Sequence, residues 1–429
     1  MISLLLVVVL LVMIVFKTPI SVAMGLASLV TIWTGGYPVH LIPQGVVRGA
    51  VSWSLLAVPF FIVAGNLMNE FGIAGRIFDF ANDLVGHVRG GLAHVNVLCS
   101  MVFAGISGSA TADCAGLGPI ELKAMADAKY DPELSAGITV ASSTIGPIIP
   151  PSVAFIIYGV ITGTSIAKLF IAGIIPGVLI GITLMITNYV ICLKSPSKFP
   201  REPRKKSIKE ISRSFLKASF ALIAPLIILF GMFSGLVSPT EAGIVAIFYS
   251  IFLGFFYHTI SFKKLIQAIE NSMLTAAHSL VLVGLASTMS NIMTFERTPY
   301  IVGQFILGLT DNKIIILFLI NLLFLAVGCI MTGISSLILL TPIFMPLMQE
   351  LGVDLVQFGV IIAFGTVIGI ATPPVGVGLF IISDIAKLSV EKVSRGTAIY
   401  LPALFISLFL ITYIPFLSTW LPALLMPGK

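Results

Sequence analysis

The sequence predicts an all-α polytopic membrane protein built from two inverted repeats, with re-entrant hairpins and broken helices. Three observations lead there. Of 429 residues, 58% are hydrophobic and only 10% are charged, whereas globular domains run nearer ~25% charged. Apolar runs recur along the whole chain and are interrupted by Gly, Pro, Ser and Thr. The two halves of the chain also repeat one another. The mean hydropathy of +1.10 agrees with a membrane body. The same composition excludes disordered, collagen-like and disulfide-rich classes. The four cysteines, Cys99, Cys114, Cys192 and Cys329, lack C-x-x-C spacing and sit in apolar surroundings. They read as buried small hydrophobes, not as a disulfide framework or zinc site.

A spanning helix needs ~20 mostly apolar residues. In the first half, candidate segments lie near 2–16, 19–36, 51–69, 92–112, 134–160 and 166–193. In the second they lie near 218–237, 240–257, 273–294, 301–331, 334–349, 356–383 and 397–425. The first begins without a basic n-region or an A-x-A site, so it reads as a retained membrane helix, not a signal peptide. Several segments are too short for one crossing and others too long, which points to hairpins and broken helices; roughly ten to twelve crossings are expected.

One hydrophilic stretch, 194–217, divides the chain into a first repeat (1–193) and a second (218–429). It carries nine Lys/Arg and two acidic residues, a net of +7 against +6 for the whole chain. The membrane body is therefore nearly neutral, and the positive-inside rule places the linker in the cytoplasm. Contact with anionic membrane lipid is a plausible accessory role. Only two aromatic residues, Phe199 and Phe215, stand among the charges, too few for a base-stacking platform, so no nucleic-acid partner is expected.

At an offset of 223 residues, Gly105 pairs with Gly328, Pro119 with Pro342, and Asp131 with Asp354. Gly146 pairs with Gly369 and Pro150-Pro151 with Pro373-Pro374. Upstream, Gly65-Asn66-Leu67-Met68 resembles Ser290-Asn291-Ile292-Met293. Duplicated halves characterise secondary transporters.

The chemistry is expected where the apolar runs break. These places are Gly105–Gly118, Ser142–Ser152, Gly328–Ser336 and Gly365–Gly378. Proline removes a backbone donor and pushes its predecessor out of helical geometry. At membrane depth the freed carbonyls must find partners or line a cavity. Kinked helices would explain any single break. Two breaks in repeat-related positions, each with Ser/Thr clusters, favour a shared polar site. Carbonyl and hydroxyl oxygens there suit Na⁺, and helix N-termini favour an anion.

Asp113 lies inside the first break and has two readings: a functional intramembrane carboxylate, or an N-cap of the following helix. Its repeat partner, Ser336, also suits a cap. Glu121, Lys123 and Asp127 follow in a more polar run and are expected to face water. Glu241, Asp384 and the Glu296-Arg297 pair read as interfacial charges, although Arg297 could instead hold a substrate carboxylate. The five histidines, His40, His87, His94, His258 and His278, form no H-x-x-x-H pair, so no metal cluster is expected. His278, within an apolar run, reads as a polar contact between helices, with proton coupling as the alternative. No phosphate-cradling loop occurs, and S-x-x-K at Ser165–Lys168 and Ser389–Lys392 lacks its partner motifs. The chain is not expected to be an enzyme or to use an organic cofactor.

GISGSATADCAGLGPIELKAM, STIGPIIPPSVAFIIYG and GIATPPVGVGLF resemble the large membrane subunit (DctM/SiaM type) of tripartite ATP-independent periplasmic (TRAP) transporters, over essentially the whole chain. The resemblance implies an elevator-type, ion-transporter-superfamily-like carrier in the bacterial inner membrane. It implies Na⁺-coupled uptake of an organic acid anion, such as a C4-dicarboxylate or sialic acid. The expected partners are a separate small four-helix membrane subunit and a periplasmic substrate-binding protein. The alternative is a standalone Na⁺-coupled anion carrier or ion antiporter of related fold. Each repeat would give scaffold helices and then a hairpin and broken helix of the transport domain, at about 92–160 and 273–383. By this resemblance, one Na⁺ site uses Ser107, Gly108, Ser109, Ser143, Thr144 and Gly146. The other uses Gly328, Thr332, Gly333, Gly369 and Thr372. Substrate is expected near Ser109, Thr111, Asp113 and Ser336, with Pro150 and Pro373 shaping the pocket. Ser107-Gly108-Ser109 aligns with Ile330-Met331-Thr332, so the second site leans more on backbone carbonyls.

Overall fold

The computed structural model describes residues 2–16, 18–195, 198–199, 206–373 and 375–426. Pro374 and residues 196–197 and 200–205 of the central linker lie outside the described residues. Every regular element among those described is a helix.

The two repeats give the same succession of helices, with the bends in different places. In the second, a straight helix runs over Phe262–Phe295, about 51 Å at 1.5 Å per residue. Shifted back by 223 residues it falls on a pair bent by 59°, Leu41–Ala50 and Trp53–Glu70. The two versions pack on each other. Conversely, Ile166–Lys194 of the first repeat is one unbroken helix, whereas its counterpart in the second is a pair bent by 53°, Val390–Ala398 and Leu401–Tyr413, followed by Phe416–Leu425.

Each repeat then has a hairpin and a broken helix. The first hairpin is Gly91–Ser107 and Ala110–Gly116, bent by 120°, and continues into Gly118–Asp127. The second is Lys313–Ile330 and Gly333–Glu350. The first broken helix is Pro132–Ser143 and Val153–Thr162. The second is Leu355–Ile368 and Val377–Ala386. Asp131 and Asp354, paired in sequence, cap the two broken helices: Asp131 accepts from the Leu134 N–H, and Asp354 from those of Val356 and Gln357. Packing is crosswise. Val153–Thr162 of the first repeat lies against Gly333–Glu350 of the second, and Val377–Ala386 of the second against Ala110–Gly116 of the first.

Six described helices are long and apolar enough to cross a membrane, or nine counting each bent pair as one span. The expected ten to twelve crossings counted broken segments that fall short individually. Other expectations also shift. The run 301–331 is two helices, Thr298–Leu309 and Lys313–Ile330. The run 397–425 resolves into Leu401–Tyr413 and Phe416–Leu425, with only residues 397–398 falling in the preceding Val390–Ala398. The boundary at 273 falls inside the straight helix Phe262–Phe295. Residues 208–217, expected as linker, form the start of helix Ile208–Phe233 behind a capping box of Ser207 and Glu210. Large apolar side chains such as Phe230, Phe248 and Phe305 are exposed on the outside, as a hydrocarbon environment permits.

Candidate functional site

The hairpin tips face one another across a cavity of about 450 Å³. Ser109, the residue before Ala110–Gly116, accepts a hydrogen bond from the Ala112 N–H (3.5 Å) and meets the Thr111 hydroxyl at 3.1 Å. Thr332, the residue before Gly333–Glu350, accepts from the Ser335 N–H (3.4 Å) and meets the Ser335 hydroxyl at 2.7 Å. Ser109 and Thr332 are a repeat pair, so duplication placed an N-cap at each tip. Gly108, Ser109, Thr111, Thr332, Gly333 and Ser335 all line the cavity. The positive end of the long helix Gly333–Glu350 opens on it. A second cavity of about 270 Å³ shares Ser109 and Thr111 and adds Asn66, Asn69 and Ser107.

The structure brings the first set of expected cation ligands together. A Cβ on Gly146 would lie 3.0 Å from the Ser109 carbonyl oxygen, so the unwound stretch touches the tip. Gly108 has φ +59°, and a Cβ there would lie 2.4 Å from the Pro151 oxygen; only glycine fits both conditions. The Ser107 hydroxyl is buried without a partner. Ser143 and Thr144 donate to the Val140 and Ala141 carbonyls (2.8 and 2.7 Å), which leaves lone pairs on their own oxygens.

The second set meets likewise. A Cβ on Gly369 would lie 2.0 Å from the Gly328 carbonyl carbon, so two backbones approach where any side chain is excluded. Gly333 packs on Val367. The Thr372 hydroxyl donates to the Ile368 carbonyl at 2.9 Å. Both sets consist of neutral oxygen donors, which fits a hard monovalent cation.

Some expected residues lie elsewhere. Asp113 and Ser336 were expected beside the substrate, or as caps, but both are fully buried and neither lines a cavity. Both lie one turn into their helix, away from its tip, where neighbouring helices cover them. Pro147, not Pro150 or Pro373, lines the cavity. Glu121 was expected in water and is instead fully buried. Arg297 lines a separate cavity with Thr294, Tyr300 and Glu350, away from the tips. His278 is the one titratable side chain among the described residues lining the larger cavity. Asn66, Asn69, Thr275 and Ser279 were missed. They come from helices Ala57–Glu70 and Phe262–Phe295, away from the helix breaks where the chemistry was expected.

Repeat-related helix breaks whose tips line one cavity, in an apolar all-helical body, define the class as a multi-pass membrane transporter. Residues 7–417 match the family model described as Tripartite ATP-independent periplasmic transporter, DctM component. The chain is 40% identical over 395 residues to the sialic acid TRAP transporter large permease protein SiaM of Vibrio cholerae, covering 92% of each chain. It is 36% identical over 371 residues to the C4-dicarboxylate TRAP transporter large permease protein DctM of Pseudomonas aeruginosa, covering 86% of each. It is 42% identical over 377 residues to the sialic acid TRAP transporter permease protein SiaT of Haemophilus influenzae, covering 88% of this chain and 61% of that one. In fold it resembles the crystal structure of the YdaH transporter of Alcanivorax borkumensis, with a TM-score of 0.65 at 14% identity over 87% of this chain and 86% of that one. The chain therefore belongs to the DctM component family, the large permeases of TRAP transporters. It is a multi-pass protein of the bacterial inner membrane. Large permeases of this family work with a small membrane subunit and a periplasmic binding protein.

Proposed function

We propose that this chain carries out Na⁺-coupled uptake of an organic acid anion by an elevator mechanism. A separate small four-helix subunit supports the scaffold, and a periplasmic binding protein delivers the substrate. The observation that carries this reading is the convergence of both hairpin tips on one cavity, each beside an unwound stretch of neutral oxygen donors. One Na⁺ would sit at Ser107, Gly108, Ser109, Ser143, Thr144 and Gly146, and another at Gly328, Thr332, Gly333, Gly369 and Thr372. The anion would lie between them, near Ser109 and Thr111, against the N-terminus of Gly333–Glu350. The two hairpins and broken helices would move together against the long helices, with the two repeats inverted about the membrane plane. Relatives named for sialic acid, C4-dicarboxylate and 2,3-diketo-L-gulonate support a carboxylate class. The test is uptake into proteoliposomes reconstituted with the small subunit. Uptake should require Na⁺, the small subunit and the binding protein together; uptake that survives without the binding protein would favour a standalone carrier.

A further inference from the structure

Behind the first hairpin tip lies a group of side chains that the cavity does not use. Asp113 and Glu121 are both fully buried. Asp113 Oδ1 accepts from the Ser100 hydroxyl at 3.1 Å. Glu121 Oε2 accepts from Asn96 Nδ2 at 2.6 Å. The Asn96 amide also donates to Thr139 Oγ1 (2.8 Å) and accepts from the Ser142 hydroxyl (2.6 Å). Asn96 and Ser100 are one turn apart, so they present the two carboxylates along one helix face.

Asp113 Oδ2 and Glu121 Oε1 are buried without a partner. No Lys, Arg or His among the described residues forms an ion pair with either. Two fully buried carboxylates held only by neutral donors are stabilised in their ionised form by a positive charge nearby.

The hydrogen bonds lead to such a place. Ser142, bonded to Asn96, adjoins Ser143. Cys114, next to Asp113, donates to the Ser143 hydroxyl at 3.1 Å. The Asp113 N–H donates to the Ser109 carbonyl at 3.0 Å. Both chains of contact end on the proposed first Na⁺ site, whose own donors are all neutral. The second repeat has no counterpart. At the offset of 223, Asn96, Ser100, Asp113, Glu121 and Ser142 fall on Leu319, Leu323, Ser336, Phe344 and Gly365.

We infer that Asp113 and Glu121 are charge-balancing residues: they supply the fixed negative charge that compensates a cation bound at the first hairpin tip. They act through space and through Asn96–Ser142 and Cys114–Ser143, not as ligands. The first repeat then holds its cation more tightly than the second, which relies on dipoles alone. This inference rests on the Na⁺ reading of the tips.

The test separates charge from shape. Glu121→Gln and Asp113→Asn keep the shape and remove the charge, whereas Glu121→Asp keeps the charge and alters the shape. Na⁺ is titrated against uptake in proteoliposomes with both membrane subunits and the binding protein. Na⁺ is also titrated against the melting temperature of the purified protein, which needs no activity and reports folding. Each amide variant should raise the half-saturating Na⁺ concentration about tenfold or more, the scale on which a charge acts through space in surroundings of low dielectric. Substrate KM at saturating Na⁺ should stay the same, and Glu121→Asp should shift Na⁺ dependence much less. A Na⁺-dependent wild type whose folded amide variants stay within twofold of its half-saturation would overturn this inference alone. A wild type indifferent to Na⁺ would overturn the Na⁺ reading together with it.

Discussion

The two hairpins share their geometry and differ in what fills them. Behind the first tip, Asn96, Glu121, Thr139 and Ser142 form a buried hydrogen-bonded set. Behind the second, Phe344 sits at the position of Glu121 and packs edge-on against Phe324, ring centroids 5.7 Å apart. Phe324 also packs on Phe358 at 6.2 Å. Duplication therefore preserved the tips, the caps and the breaks, which both halves need to shape the cavity. It did not preserve the interior, which only has to be filled and satisfied. An aromatic cluster does this by packing; a polar network does it by pairing, and one of its oxygens, Glu121 Oε1, remains unpaired.

Substitutions can break that contrast, in order of expected effect. Phe344→Ala empties a packed aromatic site and should cost about 3–5 kcal/mol of stability, measured as a lower melting temperature, while the half-saturating Na⁺ concentration stays near wild type. Asn96→Leu, which copies Leu319 into the first repeat, removes the one hydrogen-bond partner of Glu121 among the described residues. It should cost about 1–3 kcal/mol and, unlike Phe344→Ala, also alter the Na⁺ titration. Ser109→Ala and Thr372→Ala, one at each proposed cation site, should weaken Na⁺ activation severalfold, about 1 kcal/mol each on the scale of tenfold per ~1.4 kcal/mol, with expression intact. Unchanged Na⁺ activation in both would remove the site assignment.

The parts legible in the sequence were those with a covalent signature. Pro150-Pro151, Gly146 and Gly369, spaced identically in both halves, located the breaks because proline and close backbone contact leave few alternatives. Ser109 and Thr332 came instead from the family resemblance, on motifs at the same breaks. What stayed hidden depended on which way a helix turns. Glu121 lies between exposed Pro119 and exposed Lys123, and a polar run gives no hint that one carboxylate faces inward. Asp113 looked like a cap, but the cap is Ser109, four residues earlier. Helix Ile73–Val85 was not foreseen, because its Arg76, Asp79 and Asp83 make its composition that of a loop while its apolar residues line one face. The first turns of Ile208–Phe233 were hidden likewise by the linker's charges.

Na⁺ dependence of uptake in proteoliposomes holding both membrane subunits and the binding protein tests the central claim most directly. Two cation sites flanking one cavity predict steep activation by Na⁺, with cooperativity above one ion per substrate. Uptake of the same rate when all Na⁺ is replaced by K⁺ would contradict the account.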